Sequence, residues 1–316
     1  MEIRSLPVGQ GLAWFKQAID LGGRNPRAVF GAALLLILAM YAAVLAVALG
    51  LAALVMGGQA VGEAASPSLA VAMWVAVPLM LLVMLLVPIL LGGLMHVIRE
   101  TEAGRPARAR DVFVPLRSAS GRRLALLGLV QVALAVIGGA LVMAIAGADY
   151  WRDYMAAMQG AMQGAMQGGT PPQVPQAQNA GLLFLVQLVF NYFSYAMMLF
   201  AIPLMLFSGS RILPALRDSL RAAVRNVGAN LLAGLLFVGA LLVASLVVLL
   251  VGGLASLVGG FIHQALGGLL LLLVMLGFAS VVLVLVAGGA YLAWRDTFGD
   301  AARPPSLPEA PHGIEV

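Results

Sequence analysis

The 316-residue chain has no cysteine, three histidines and only 10% charged residues, and each shortage excludes a class of protein. Without cysteine there is neither a disulfide scaffold nor a thiolate metal site. Soluble domains carry about 25% charged and about 45–50% apolar residues. Here the apolar share is 62% and the mean hydropathy is +1.02. A soluble globular protein and a disordered chain are both excluded, and a membrane protein is what remains. The pI near 10.1 does not point to nucleic acid, because no basic domain with interleaved aromatics stands apart from the apolar runs.

Aspartate, glutamate, lysine and arginine are missing altogether from six long runs: 29–56, 69–98, 124–147, 182–207, 231–258 and 264–293. A bilayer core about 30 Å thick needs about 20 apolar residues of helix, so each run is long enough to span. The last two runs adjoin in one uncharged stretch, 231–293, too long for a single crossing. It must turn back, and Gly259-Gly260, His263-Gln264 and Gly267-Gly268 mark the place, the glycines permitting the reversed backbone. The fold class is therefore all-α: a polytopic membrane protein of six transmembrane helices, with amphipathic helices lying at the cytoplasmic interface.

Lysine and arginine accumulate on the cytoplasmic side of membrane proteins. Four precede the first span, seven lie between spans two and three, four between spans four and five, and two after the sixth; Arg152 alone falls on the other side. Both termini are thus expected in the cytoplasm. A cleaved signal peptide would need an apolar region of about 7–15 residues close to Met1, whereas 28 residues precede the first long run, so that span is read as retained. All the basic residues but Lys16 are arginine, and alanine, glycine and leucine dominate. This is the signature of a GC-rich bacterial genome, and so of a bacterial inner membrane. The expected organisation is a cytoplasmic amphipathic segment (1–28), a membrane domain (29–298) containing an external Met/Gln/Pro-rich loop (148–181), and a disordered cytoplasmic tail (299–316).

The basic segments have a common design. Val8, Leu12, Phe15 and Ile19 recur at helical spacing. Gly22-Gly23 then ends that helix, and Asn25-Pro26 reads as an N-cap followed by proline at the first position of the next. Before the fifth span, Leu213, Leu216, Leu220, Val224 and Val227 form a second stripe beside Arg217, Arg221 and Arg225, and Arg225-Asn226 echoes Arg24-Asn25. Before the third span the helical signal in Asp111, Val112, Phe113 and Leu116 is broken by Pro115. Such segments suit the inner-leaflet interface, with apolar faces in the acyl boundary and guanidinium groups at anionic lipid phosphates. The candidate phosphate contacts are Arg108, Arg110, Arg122, Arg123, Arg217, Arg221 and Arg225. The competing reading is that these charges serve topology alone.

Several positions resemble a known family. The threefold scheme of interfacial helix plus two spans, Gly92-Gly93, the spacing Gly104…Asp111-Val112-Phe113, Pro203…Ala215…Ser219…Asn226, and the closing Tyr291, Trp294, Arg295, Asp296 and Phe298 are similar to those of the uncharacterised six-helix bacterial inner-membrane proteins related to the membrane domain of glycerophosphodiester phosphodiesterases. The resemblance implies the fold and no established activity. No segment outside the runs is long enough for the phosphodiesterase barrel of some relatives.

The runs also lack what catalysis and ion coupling require. They contain no charged group for a proton or ion relay, no serine with a histidine base and no pair of carboxylates. No phosphate loop, dinucleotide fingerprint or metal-ligand spacing occurs either. No enzyme activity and no cofactor are expected. The favoured function is a lipid-interacting or scaffold component of envelope homeostasis, with membrane lipids as partners. An alternative is a transporter for an uncharged or amphiphilic molecule, with Gln131, Gln187, Asn191 and Ser194 lining its route and Pro78, Pro88 and Pro203 breaking its helices; another is an accessory subunit of a lipid enzyme. In the external segment, Asp149 to Tyr154 form an aromatic anchor. The repeated Met-Gln-Gly unit that follows holds Met155, Met158, Met162 and Met166, which is either a low-complexity expansion or a thioether site for Cu(I). Fusion reporters test the topology: alkaline phosphatase inserted within 148–181 is expected to be active, and the same enzyme joined after Arg225 or at the C-terminus inactive.

Overall fold

The computed structural model describes residues 2–60, 69–167 and 177–299. In chain order they form α1 (Gln10–Arg24), α2 (Pro26–Ala60), α3 (Leu69–Glu102), a 3-10 helix (Ala109–Arg117), α4 (Ala119–Ala146), α5 (Ala148–Gln167), α6 (Ala180–Phe207), α7 (Ile212–Arg225), α8 (Val227–Ile262) and α9 (Gln264–Phe298). No strand occurs among the described residues. Six helices, α2, α3, α4, α6, α8 and α9, are long and apolar enough to cross a membrane, so the chain is an all-helical multi-pass membrane protein. The helices run past the uncharged stretches: α3 continues to Glu102 and α9 to Phe298. This carries Arg99, Glu100, Glu102, Arg295 and Asp296 on helical turns at the span ends.

The chain divides into two compact units, one of residues 1–129 and 197–316, the other of residues 130–196. In the first, α3 is the central helix. More than half of the residues in its most apolar stretch are buried, against none in that of α8. Leu90, Leu94, Met95, Val97 and Ile98 on α3 form the middle of the core with Leu124 and Leu127 of α4, Ile202, Leu204 and Met205 of α6, and Leu292 and Trp294 of α9. Asn25 separates α1 from α2 as its sequence suggests, since the Ala28 N–H donates to Asn25 Oδ1 at 3.3 Å and Pro26 opens α2. The helix before it runs on to Arg24 through Gly22-Gly23, so the break is at Asn25 and not at the glycine pair.

The turn between α8 and α9 falls at His263, an extended residue whose Nδ1 accepts the Ala265 N–H at 3.1 Å. The flanking glycines act differently from expectation. None of them has positive φ; instead a methyl on Gly259 would stand 2.6 Å from the Gly267 Cα, so they allow the two helix backbones to approach. Pro78, Pro88 and Pro203 lie inside α3 and α6, and neither helix ends at them.

The segment before α4 is a 3-10 helix, a form with three residues per turn and side chains in three columns. Val112 and Pro115 make one column, and both are buried. Close packing fixes them: a methyl on Gly93 of α3 would overlap the Val112 carbonyl, and one on Gly121 of α4 would overlap the Pro115 carbonyl. Proline at 115, which breaks the α-helical pattern in the sequence, is accommodated because this column faces inward.

In the second unit, Phe190 of α6 lies over Gly138 of α4, and Tyr150 and Tyr154 of α5 stack at 6.3 Å. Residues 148–167, expected as part of a loop, are helical; the repeated Ala-Met-Gln-Gly unit supplies strong helix formers between its glycines. The proline-containing part, Pro171 to Pro175, and the tail from 300 to 316 lie outside the described residues.

Gly93→Ala is expected to lower the unfolding midpoint in detergent by the equivalent of about 1–3 kcal/mol, the cost of overpacking against backbone. Gly234→Ala, which meets open space, is expected to leave the midpoint unchanged or raise it.

Candidate functional site

The described basic residues of the first unit lie on α1, the 3-10 helix and α7, in the segments next to them, and at the ends of the long helices. How α7 is seated decides what this end presents. Its buried residues are small: Ala215, Ser219, Ala222 and Ala223, followed by Asn226. Its large apolar stripe faces away from the protein, with Leu213 75% and Val224 59% exposed and Leu220 and Val227 exposed as well. Arg217, Arg221 and Arg225 are exposed beside that stripe.

On α1 an apolar row is again exposed, although the buried face holds large residues as well as small ones. Gly11, Trp14, Ala18, Leu21 and Gly22 are buried, while Val8, Leu12 and Ile19 are exposed. Gly11 sits so close to α8 that a methyl there would overlap the Ala229 carbonyl, and Gly288 of α9 lies under Ala18 and Leu21. Phe15 meets Phe237 edge-on at 5.3 Å.

Polar contacts, none of them anticipated from the sequence, bind these helices together. Glu102 at the end of α3 accepts from the Tyr291 hydroxyl at 2.6 Å and pairs with the Arg295 guanidinium of α9. Arg295 also donates to Gln17 of α1 at 3.1 Å and to its neighbour Asp296 at 2.9 Å. Asp296 in turn accepts from Gln10 Nε2 at 2.7 Å and from the Trp14 indole at 2.9 Å. One carboxylate–guanidinium chain therefore ties α1, α3 and α9 at their ends. Arg99 pairs with no carboxylate among the described residues; its Nε is buried without a hydrogen bond, and its guanidinium lies 4.5 Å from the centre of the Phe207 ring, a cation–π contact. Asn226, 1% exposed, holds the N-terminal segment by accepting the Leu6 N–H at 2.8 Å and donating to the Arg4 carbonyl at 3.0 Å. It matches Asn25 in sequence position, yet no cap bond runs from its side chain.

Arg108, Arg110, Arg122 and Arg123 are all exposed. Arg123 donates to the Gly209 carbonyl at 3.0 Å, joining α4 to the α6–α7 turn. Gly209 needs its glycine there, with φ +64. The Arg108 backbone N–H donates to Asp111 at 2.7 Å, which starts the 3-10 helix.

The residues considered for a transport route belong to the second unit. Gln131, Gln187, Asn191 and Ser194 are partly exposed, and Asn191 Nδ2 donates to Gln187 Oε1 at 3.4 Å. That contact joins neighbours one turn apart on α6. Of the four methionines considered for copper, all on α5, Met155 and Met158 are exposed. No group of three or more His, Cys, Asp or Glu suited to a metal ion occurs among the described residues.

Comparison with protein-family profiles, curated proteins and solved structures finds no match. The ion-pair chain gives a direct test of how this end is held. Arg295→Met leaves Glu102 without its cation and is expected to destabilise the protein by about 2 kcal/mol. Combined with Glu102→Leu it is expected to cost no more than the worse single change, a coupling readable from the unfolding midpoints of the double-mutant cycle.

Proposed function

We propose that this chain is a bacterial inner-membrane protein, both termini cytoplasmic, that acts without catalysis of its own as a lipid-interacting or scaffold component of the envelope. The observation that carries the reading is the seating of α7. A helix packed in water turns its leucines toward the protein and leaves small and polar residues outside. On α7 the reverse holds: Ala215, Ser219 and Ala222 are buried while Leu213, Leu220 and Val224 are exposed beside Arg217, Arg221 and Arg225. An environment that accepts both rows is apolar on one side and anionic on the other, which describes the boundary between acyl chains and headgroups.

The energetics agree. Each arginine near an anionic surface contributes about 1 kcal/mol, so three contribute about 3 kcal/mol, or roughly two powers of ten in lipid preference. The exposed stripe of α1 adds apolar area at the same end. The 17-to-1 distribution of basic residues supports a cytoplasmic location for it. The resemblance to the six-helix relatives of phosphodiesterase membrane domains is in keeping with a membrane-embedded role, and we propose that relation as well.

Native mass spectra of the protein purified in mild detergent test the reading. Wild type is expected to carry anionic phospholipid that the Arg217→Gln/Arg221→Gln/Arg225→Gln variant loses. Equal lipid on both, or none on either, overturns it.

A further inference from the structure

The 3-10 helix Ala109–Arg117 is nine residues long, whereas such helices seldom exceed 3–4 residues. Its length is enforced by its neighbours. Ala109 abuts Gly31 of α2, the Val112 carbonyl abuts Gly93 of α3, and the Pro115 carbonyl abuts Gly121 of α4. With Val112 and Pro115 turned inward, the other two columns face outward. One begins Arg110, Phe113; the other is Asp111, Val114, Arg117. These five residues line a recess of about 410 Å³.

The charges in the recess are unbalanced. Its one carboxylate, Asp111, is engaged by the Arg108 backbone N–H. Arg110 and Arg117 donate no side-chain hydrogen bond to any described residue and form no ion pair with one. They stand seven residues apart, roughly 14 Å along the axis at about 2 Å per residue, so a cation stands toward each end of the recess. Between them Phe113 and Val114 supply an apolar wall. Planar guanidinium groups recognise phosphate oxygens through paired hydrogen bonds, and an apolar wall suits the carbon skeleton attached to such a phosphate.

We propose that this recess is a discrete binding site for a phosphate ester, its phosphate held by the arginine at one end, its polar headgroup or ester oxygens met by the arginine at the other, and its carbon skeleton laid against Phe113 and Val114. The inference rests on the reading that this end of the protein meets phosphate-bearing lipid, and it adds one fixed place and one ligand class to that reading. Arg117 enters here from the geometry; its position in the sequence does not set it apart from the other loop arginines. The same chemistry is offered by a phospholipid headgroup and by free phosphate.

The full chain in zwitterionic detergent, titrated with phosphatidylglycerol and followed by native mass spectrometry, tests the proposal. Wild type is expected to hold one phosphatidylglycerol more tightly than any other. Arg110→Gln/Arg117→Gln is expected to weaken that binding about thirty-fold, the loss of two arginine contacts. Its unfolding midpoint should stay that of wild type, since neither side chain is packed. Arg110→Lys/Arg117→Lys, which keeps the charge and loses the fork, is expected to recover part of the affinity. The Arg217→Gln/Arg221→Gln/Arg225→Gln variant is expected to retain the tight equivalent. Inorganic phosphate that fails to displace the lipid identifies the headgroup as the ligand, and displacement identifies free phosphate; either supports the recess. Unchanged binding in Arg110→Gln/Arg117→Gln overturns the proposal. That result leaves the α7 reading standing if the α7 variant still loses its other anionic lipid, and overturns both if it does not.

Discussion

Helices in a membrane gain little from hiding apolar side chains against one another, because the surrounding lipid is equally apolar. Association must come from close approach of backbones and from polar contacts, and this constraint shapes the first unit throughout. Gly11 admits α1 to the backbone of α8, Gly93 and Gly121 admit the 3-10 helix to α3 and α4, and Gly259 and Gly267 bring α8 against α9. Where side chains alone do not hold, the Glu102, Arg295 and Asp296 chain ties α1, α3 and α9 together.

The outer surface follows from the same constraint. The inner face of α7 is small, so its large apolar residues have only the outside left, and α1, although it also buries Trp14 and Leu21, leaves Val8, Leu12 and Ile19 outside in the same way. The two helices repeat one plan in register. Trp14, Ala18 and Leu21 are buried at the positions where α7 buries Ala215, Ser219 and Ala222, and Leu12 and Ile19 are exposed where α7 exposes Leu213 and Leu220. The larger Trp14 fits because α1 lies against two helices, α8 and α9, with Asp296 to receive its indole N–H. On the proposed reading, the outward stripes and the arginines of α7 meet lipid, and the 3-10 helix packed on α2 and α3 holds one phosphate ester at a fixed place.

Much of this was legible in the sequence. The six long helices followed from uncharged length, the His263 turn from the two glycine pairs, and the start of α2 from Asn25-Pro26. The stripes on α1 and α7 were legible too, because helical periodicity is a local property. Which side of a helix meets the protein was not: on α1 it depends on Ala229, Ala233 and Gly288, far away in the chain. The ion-pair chain was hidden for a similar reason. Glu102 and Arg295 lie 193 residues apart, and each looks like an ordinary charge just beyond a span until α3 and α9 are seen to continue through them. The 3-10 helix escaped notice because its period of three, with Pro115 in the buried column, imitates a broken α-helix.

The central claim is that the apolar stripe of α7 lies in lipid while its small face lies on the protein. The absence of native cysteine makes that measurable by site-directed spin labelling, one cysteine at a time from 211 to 225, in liposomes containing anionic lipid. Labels at 213, 220 and 224 are expected to be relaxed by dissolved oxygen and labels at 217, 221 and 225 by a water-soluble nickel complex, with both accessibilities lowest at 215, 219 and 222. Water-soluble relaxation that is highest at 213, 220 and 224, or free access of either reagent to 215, 219 and 222, would contradict the account.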